Sequence, residues 1–217
     1  MSARRRYRWN VPLGSLAAAA LVAAFSTGCT SATSWRPLRT VPEDAVVLPV
    51  TGRIQQGNRC GPNALAILLA ASGTPIEEPV IAKAVQIDRL DGALNIDLLL
   101  FARAQGYSAQ FETGSVERLV QRIEEGLPAL LMMKLERRSR WFFPRELVWH
   151  FMVVYGVSRT DRVFLAHSGW GPRRVKFEEL DESWARAGRW MMHLAKPLDR
   201  LSIATSQRGT VGDKNGK

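Results

Sequence analysis

The predicted secondary structure changes character near residue 127, and this change restricts the folds open to the chain. Helical periodicity fills residues 64–71, 77–85, 95–105 and 116–125, and several of these segments end at a glycine. A short strand is predicted early, at residues 45–50. After residue 127, strand-like patterns dominate, at residues 129–135, 148–157, 162–166, 173–177 and 190–195, and a short helix is predicted at residues 178–187. Helices followed by strands predict an α+β domain with a helical half packed on an antiparallel sheet.

The N-terminus has the layout of an export signal. Four arginines, at positions 4, 5, 6 and 8, precede an apolar run over residues 11–25 that is too short to span a bilayer comfortably. Small residues then lead to Cys29, which resembles the lipidation site of bacterial lipoproteins. Ser26 stands where that pattern usually has leucine, so ordinary cleavage near Gly28 is the alternative. We predict a signal peptide over residues 1–29 with Cys29 lipidated.

Removal of that signal leaves about 190 residues, enough for one domain with a single core. Residues 30–43 are rich in Ser, Thr, Arg and Pro and predict a tether, residues 44–197 the domain, and residues 198–217 a disordered tail. The net charge of +10 falls to about +6 without the signal arginines and is spread along the chain. We therefore predict membrane attachment through Cys29 and no nucleic-acid partner.

Cysteine usage points to a functional thiol. The chain has two cysteines, and lipid on Cys29 would leave Cys60 without a disulfide partner. A lone thiol exported to an oxidising compartment is a liability unless it does chemistry, although a buried inert cysteine is the alternative. The turn-forming residues before Cys60, with Pro62 and Gly73 after it, predict a helix that begins at this cysteine.

A cysteine, a histidine and a glutamine form the candidate site. The unpaired amides and dipole of a helix N-terminus should lower the pKa of the Cys60 thiol, and a nearby imidazolium would lower it further. His150 is the histidine on an internal apolar strand and is the candidate base. The side chain of Gln55, or alternatively Gln56, could stabilise an oxyanion together with the Cys60 amide.

These segments resemble a known family. Gln55-x-x-x-x-Cys60-Gly61-Pro62-x-Ala64-Leu65-Ala66 and Trp149-His150-Phe151-x-Val153-Val154-x-Gly156 are similar to the nucleophile segment and histidine strand of the double-glycine, or bacteriocin-processing, peptidases of the papain-like superfamily. Asp91-Gly92, Gly169 and the segment 184–190 resemble exported bacterial lipoproteins that carry this domain. The resemblance implies a papain-like fold, a Cys60–His150 pair, no cofactor and a peptide or protein substrate cut after small residues such as Gly-Gly.

One position departs from the family pattern. The processing peptidases have an Asp-Pro pair after the histidine strand, whose aspartate orients the imidazole, whereas this chain has His167 and Ser168 there. Either residue could orient His150 through a neutral side chain or the backbone. His167 could equally be an exposed turn residue. The alternative function is therefore a catalytically weakened papain-like domain that binds peptides or envelope partners.

Other motifs are missing from the sequence. No Gly-x-x-x-x-Gly-Lys-Ser/Thr loop occurs, so no ATPase domain is predicted in this chain. The three histidines are not spaced to share a metal with cysteine or clustered acids, and no metal site is predicted. Lipid on Cys29 would place the domain at the cell envelope, facing the periplasm. Thr30 after the cysteine, by resemblance to Gram-negative lipoproteins, favours the outer membrane.

Overall fold

The computed structural model describes residues 35–137 and 146–195. The predicted signal, Cys29, residues 30–34 of the predicted tether and the predicted tail lie outside the described residues. Within the described ranges the helices are α1 (Cys60–Ala71), α2 (Glu78–Val85), α3 (Asn95–Ala104), α4 (Val116–Glu124) and α5 (Phe177–Ala185), with a 3-10 turn at Asp88–Leu90. The strands are β1 (Arg36–Pro37), β2 (Val46–Val47), β3 (Gln86–Ile87), β4 (Gly92–Ala93), β5 (Ser108–Thr113), β6 (Ala129–Arg137), β7 (Glu146–Ser158), β8 (Val163–His167), β9 (Pro172–Lys176) and β10 (Trp190–Ala195).

Eight of these strands form one antiparallel sheet. Their order is β1-β9-β8-β7-β6-β10-β5, and β2 pairs with β7 beyond this path. β3 and β4 form a separate hairpin that precedes α3. The predicted α+β class, with helices packed on an antiparallel sheet, is confirmed.

The helices cover the two faces of the sheet unequally. On one face, α1, α2 and α3 bury a cluster that includes Leu65, Leu98 and Val153. On the other, α4 and α5 bury a cluster that includes Trp184 and Met152. Val153 and Met152 are successive residues of β7, and their opposite directions follow from the two-residue period of a strand. Both faces of β7 are therefore buried over residues 150–158, which explains the nearly continuous apolar sequence there.

β7 is the strand on which the other elements converge. Its register shifts between Val154 and Gly156, where β2 pairs with it. A Cβ atom added to Gly156 would lie 3.0 Å from the carbonyl oxygen of Val46, so the glycine lets β2 approach closely. β7, the strand that carries His150, is thus held by β6 and β8 on its two sides and also by β2.

Four strands were not predicted from the sequence, namely β1, β3, β4 and β5. β5 was not predicted, because Ser108–Thr113 alternates only weakly and its pairing with β10 supplies the order. Residues 36 and 37, within the predicted tether, pair with β9 as β1. No helix in the described parts of the chain is long and apolar enough to cross a membrane.

Candidate active site

Cys60 is the first residue of α1. The preceding residue, Arg59, provides no side-chain cap, so the first amides of the helix are not occupied by a capping group. Burial raises the pKa of the Cys60 thiol, and the backbone groups of Phe151, Gly61 and Cys60 itself lie close enough to oppose that rise. Because Phe151 follows His150 on β7, the thiol lies beside the peptide that carries the histidine.

Gly61 permits this close approach. A Cβ atom added at Gly61 would lie 3.2 Å from the Cβ of Ala93 and 3.3 Å from the Cδ2 of Phe151, which is tighter than ordinary contact. A larger residue would push the start of α1 away from β7 or shift the β4 hairpin. The glycine after Cys60 is therefore required for packing, in addition to being part of the motif.

His150 is buried, with 4% of its surface exposed, and its ring has one hydrogen-bond partner among residues 35–137 and 146–195. The Nε2 atom lies 2.9 Å from the carbonyl oxygen of Ser168. A carbonyl oxygen can only accept, so Nε2 carries the proton and the neutral ring keeps its lone pair at Nδ1. This tautomer is assigned from the partner, and it is the one that leaves a base at Nδ1.

The indole of Trp170 covers the imidazole. The two ring centroids are 4.7 Å apart and the planes are parallel to within 1°. Trp170 is 51% exposed, so its outer face meets solvent while its inner face shields the ring of His150. The residue sits between Gly169 and Gly171, which both have positive φ angles, of 74° and 98°. These two glycines allow the turn that places the indole over the histidine.

The pKa shifts favour neutral forms of both groups. Burial lowers the pKa of His150 to about 4, against the opposing hydrogen bond to the Ser168 carbonyl. Burial also raises the pKa of the Cys60 thiol, although the surrounding amides act in the opposite direction. The sequence-based expectation of a lowered thiol pKa is wrong in direction for the free protein. No hydrogen bond joins the Cys60 sulfur to the His150 ring among the described residues.

Gln55 rather than Gln56 faces the site. Gln56 is exposed, whereas Gln55 is half-buried against the turn that follows β8. The Gln55 amide donates to the carbonyl of Gly169 at 2.8 Å, and its side-chain Nε2 donates to the carbonyl of Gly57 at 2.9 Å. Nε2 carries two protons, so one remains for an oxyanion. The buried Oε1 atom has no hydrogen-bond partner in the part of the chain that the structure describes.

Neither the His167 ring nor the Ser168 hydroxyl orients His150. Burial lowers the pKa of His167, the nearby Gly52 backbone opposes this shift, and a Cβ on Gly52 would lie 2.5 Å from the His167 Nε2. The Nδ1 atom of His167 and the Ser168 hydroxyl are buried, and neither has a hydrogen-bond partner within the described ranges. Ser168 reaches His150 through its backbone carbonyl. The sequence left open whether a side chain or the backbone at this position orients His150, and in the structure it is the backbone.

Sequence reasoning missed two residues of this region. The sequence could have indicated Trp170, because an aromatic residue between two glycines is typical of a turn with an exposed side chain. Asn63 lies on the buried side of α1 and donates from Nδ2 to the Arg53 carbonyl at 3.1 Å. The described residues contain no group of three or more His, Cys, Asp or Glu side chains that could hold a metal.

Comparison with solved structures identifies the fold. The peptidase domain of Streptococcus ComA, a bi-functional ABC transporter involved in a quorum-sensing pathway, matches with a TM-score of 0.53 at 14% identity, over 69% of this chain and 98% of that one. The chain has the fold of double-glycine peptidase domains. A double-glycine motif protease from an AMS/PCAT transporter, solved with its leader peptide, matches with a TM-score of 0.53 at 18% identity, over 74% and 96%.

A third solved structure has the same fold. A putative C39-like peptidase from Bacillus anthracis has a TM-score of 0.53 at 15% identity, over 71% of this chain and 98% of that one. No protein-family model and no curated protein matches the sequence. At these identities the likeness establishes the fold, and the chemistry has to be argued from the residues of the site.

Proposed function

We propose that the protein is a cysteine peptidase in which Cys60 is the nucleophile and His150 the general base and acid. The observation that carries the proposal is the junction of α1 and β7. A helix begins with a cysteine beside the histidine peptide, and the histidine ring is held by a backbone carbonyl in the tautomer that leaves Nδ1 basic. The peptidase fold of the structural neighbours is consistent with this chemistry.

The first half-reaction forms a thioester. The Cys60 thiol gives its proton to Nδ1 of His150, and the sulfur attacks the carbonyl carbon of the scissile peptide bond. The Cys60 amide and the remaining Nε2 proton of Gln55 stabilise the negative charge on the carbonyl oxygen. The imidazolium then protonates the leaving amine as the carbon–nitrogen bond breaks. This step requires Nδ1 to come within reach of the sulfur, as often happens only once substrate is bound.

The second half-reaction regenerates the thiol. A water molecule gives a proton to Nδ1 and its oxygen attacks the thioester carbon, and the same oxyanion donors act again. The carbon–sulfur bond breaks, the sulfur recovers the proton from the imidazolium, and the carboxylic acid leaves. The hydrogen bond from Nε2 to the Ser168 carbonyl steadies the ring in both directions and favours the imidazolium.

The substrate proposal is a peptide cut after small residues such as Gly-Gly, and it rests on the family resemblance. Internally quenched peptides with Gly-Gly before the scissile bond test it against matched peptides with Val-Val there. Wild-type protein should release fluorescence only from the first set, and Cys60→Ala should release none. His150→Ala should be slower by roughly 10²–10⁴-fold, the usual contribution of general acid–base catalysis. Equal cleavage by wild type and Cys60→Ala would refute the peptidase assignment.

A peptide-binding domain without catalysis is the second candidate. Its support is the neutral thiol and the carbonyl, in place of a carboxylate, as the partner of His150, because a carbonyl stabilises imidazolium less than a charged group does. This function predicts that a peptide library binds to wild type and Cys60→Ala alike and is recovered uncut from both. Recovery of cleaved peptides from wild type alone would reject it.

We also propose that the domain acts at the cell envelope, attached through lipid on Cys29 and facing the periplasm, with the outer membrane favoured. The proposal is supported by the signal-like sequence before Cys29. Mass spectrometry should find a diacylglycerol on Cys29 at the N-terminus of the mature protein. The Cys29→Ser variant should leave the membrane fraction on cell breakage. An unmodified Cys29, or residues 1–28 retained, would contradict it.

A further inference from the structure

The segment that carries Gln55 runs between β2 and α1 and is held to the rest of the protein by few bonds. We call residues 51–59 the glutamine loop. Its main chain makes a hydrogen bond from the Gln55 amide to the Gly169 carbonyl, at 2.8 Å, and accepts one from the Asn63 side chain at the Arg53 carbonyl, at 3.1 Å. The first bond reaches the turn after β8, and the second reaches α1.

Asn63 is unusual for the first turn of a helix. Its amide group points back past the N-terminus, although the side chain is only 3% exposed. Its own backbone amide makes the first helical bond, to the Arg59 carbonyl at 2.9 Å. A polar side chain this buried is destabilising unless it is paired, so its bond to the Arg53 carbonyl is a specific contact.

Other links of the glutamine loop include the Gly52 backbone, which lies against the buried His167 ring, the part-buried Arg59–Glu78 pair and two surface pairs. Arg53 pairs with Glu77, and both side chains are largely exposed. Asn58 hydrogen-bonds Asp91 at the surface as well. Exposed pairs of this kind contribute little to a fixed geometry. The bond from Asn63 is thus the side-chain link that joins the main chain of the glutamine loop to α1, two residues before Gln55.

The glutamine loop also leads to the imidazole. Gln55 is bonded to the carbonyl of Gly169, and the preceding carbonyl, of Ser168, is the one that accepts the Nε2 proton of His150. A path of hydrogen bonds thus runs from Asn63 on α1 to the Arg53 carbonyl, along two peptide units to the Gln55 amide, and through Gly169 and Ser168 to the histidine ring. The helix that begins with the nucleophile holds the group that orients its base.

We propose that Asn63 is a positioning residue that sets the orientation of His150 relative to Cys60 through this path. The inference rests on the proposed peptidase function. Without the Asn63 donor the Arg53 carbonyl is released, the Gln55 amide moves relative to Gly169, and the Ser168 carbonyl no longer sits in line with Nε2. Displacements of this size far from the reacting atoms can lower rates by about 10²-fold.

The test uses the full chain and four readouts. Asn63→Ala removes the donor, Asn63→Asp keeps the shape but can only accept when ionised, and Asn63→Gln retains a donor. Ser72→Ala is the matched control, since it removes a side-chain hydrogen bond to the Leu68 carbonyl at the other end of α1. The readouts are thermal stability, the alkylation rate of Cys60 by iodoacetamide followed on its own peptide, the NMR signal of the His150 Nε2 proton, and peptide cleavage.

We expect Asn63→Ala and Asn63→Asp to slow Cys60 alkylation at neutral pH by about tenfold and peptide cleavage by up to about 10²-fold. The Nε2 proton signal should be lost to exchange with water, while thermal stability falls no further than in Ser72→Ala. Asn63→Gln should recover part of the rate. In a His150→Ala background, Asn63→Ala should slow alkylation no further, because both changes remove the same interaction.

Two results would overturn the inference alone. In one, the wild-type alkylation rate depends on His150, but the Asn63 variants keep the wild-type rate and the His150 Nε2 signal. The other is a further slowing by Asn63→Ala in the His150→Ala background. If Asn63→Ala does not fold, the comparison of Asn63→Asp with Asn63→Gln decides by the same criteria. A wild-type alkylation rate that is indifferent to His150, with no peptide cleaved, would overturn the proposed function and this inference with it.

Discussion

The imidazole of His150 donates its Nε2 proton to the backbone carbonyl of Ser168, at 2.9 Å. A backbone carbonyl is present whatever the side chain, so this orienting bond survives substitution of the residue. Ser168→Ala should therefore keep peptide cleavage within a few-fold of wild type. The Ser168 hydroxyl is buried without a hydrogen-bond partner among the residues that the structure describes, so its removal should not lower stability. A rate as low as that of His150→Ala would show that the hydroxyl takes part.

Gly169 and Gly171 offer a matched pair of substitutions in the same turn. Both have positive φ, so alanine should cost roughly 1 kcal/mol of stability at either position. A Cβ at Gly169 would collide with the Gln55 side-chain amide, whereas nothing lies within 4 Å of one at Gly171. We expect Gly169→Ala to lose most peptide cleavage and Gly171→Ala to retain it. Equal loss in the two variants would attribute the effect to backbone strain alone.

Trp170 controls the exposure of the imidazole. Burial is the main cause of the low pKa of His150, and the indole covers one face of the ring. Trp170→Ala should therefore raise the pKa of His150 from about 4 towards its ordinary value, measured by NMR titration. Trp149→Ala is the control, because Trp149 is similarly exposed and stacks with Lys134 instead. An unchanged pKa in Trp170→Ala would mean that other groups bury the ring.

The depressed pKa of His150 has a consequence for stability. The unfolded chain binds this proton near pH 6.5, whereas the folded protein does so only at about pH 4. The contribution of His150 is fully present above pH 6.5 and is lost as the pH falls towards 4, by at most about 1.4 kcal/mol per pH unit. Between pH 7.5 and pH 4.5, the free energy of unfolding measured in urea should fall by about 2 kcal/mol less in His150→Gln than in wild type. Equal losses of stability in wild type and His150→Gln would contradict the lowered pKa of His150, since the other histidines are present in both proteins.

The thiol gives a further prediction. Because burial raises the pKa of Cys60, alkylation of the free protein should have its midpoint above the ~8.5 of an ordinary thiol. At neutral pH the rate should depend on His150 acting as a base rather than on a standing ion pair. His150→Ala should therefore slow alkylation at pH 7 more than at pH 10, where hydroxide deprotonates the thiol directly. A midpoint well below 8.5 would indicate a thiolate–imidazolium pair in the free protein.

The sequence by itself determined the local elements of the site. Pro62 and Gly73 bound a helix through turn chemistry that acts over a few residues, so the start of α1 at Cys60 could be predicted. The apolar period around His150 likewise marks a buried strand. These features depend on neighbours along the chain, which a sequence displays directly. β5 depends instead on pairing with β10 and on packing against α3, and it was missed.

Tertiary structure alone decided how the site residues meet. The partner of His150 is a carbonyl, and every residue has one, so no side-chain pattern could select Ser168. The upward shift of the Cys60 pKa is likewise a result of burial by distant elements, which outweighs the local amides at the helix start. The choice of Gln55 over Gln56 follows from the contact with Gly169, on a turn more than a hundred residues later. Desolvation and long-range contact depend on the folded arrangement of the whole domain, and a linear pattern does not contain them.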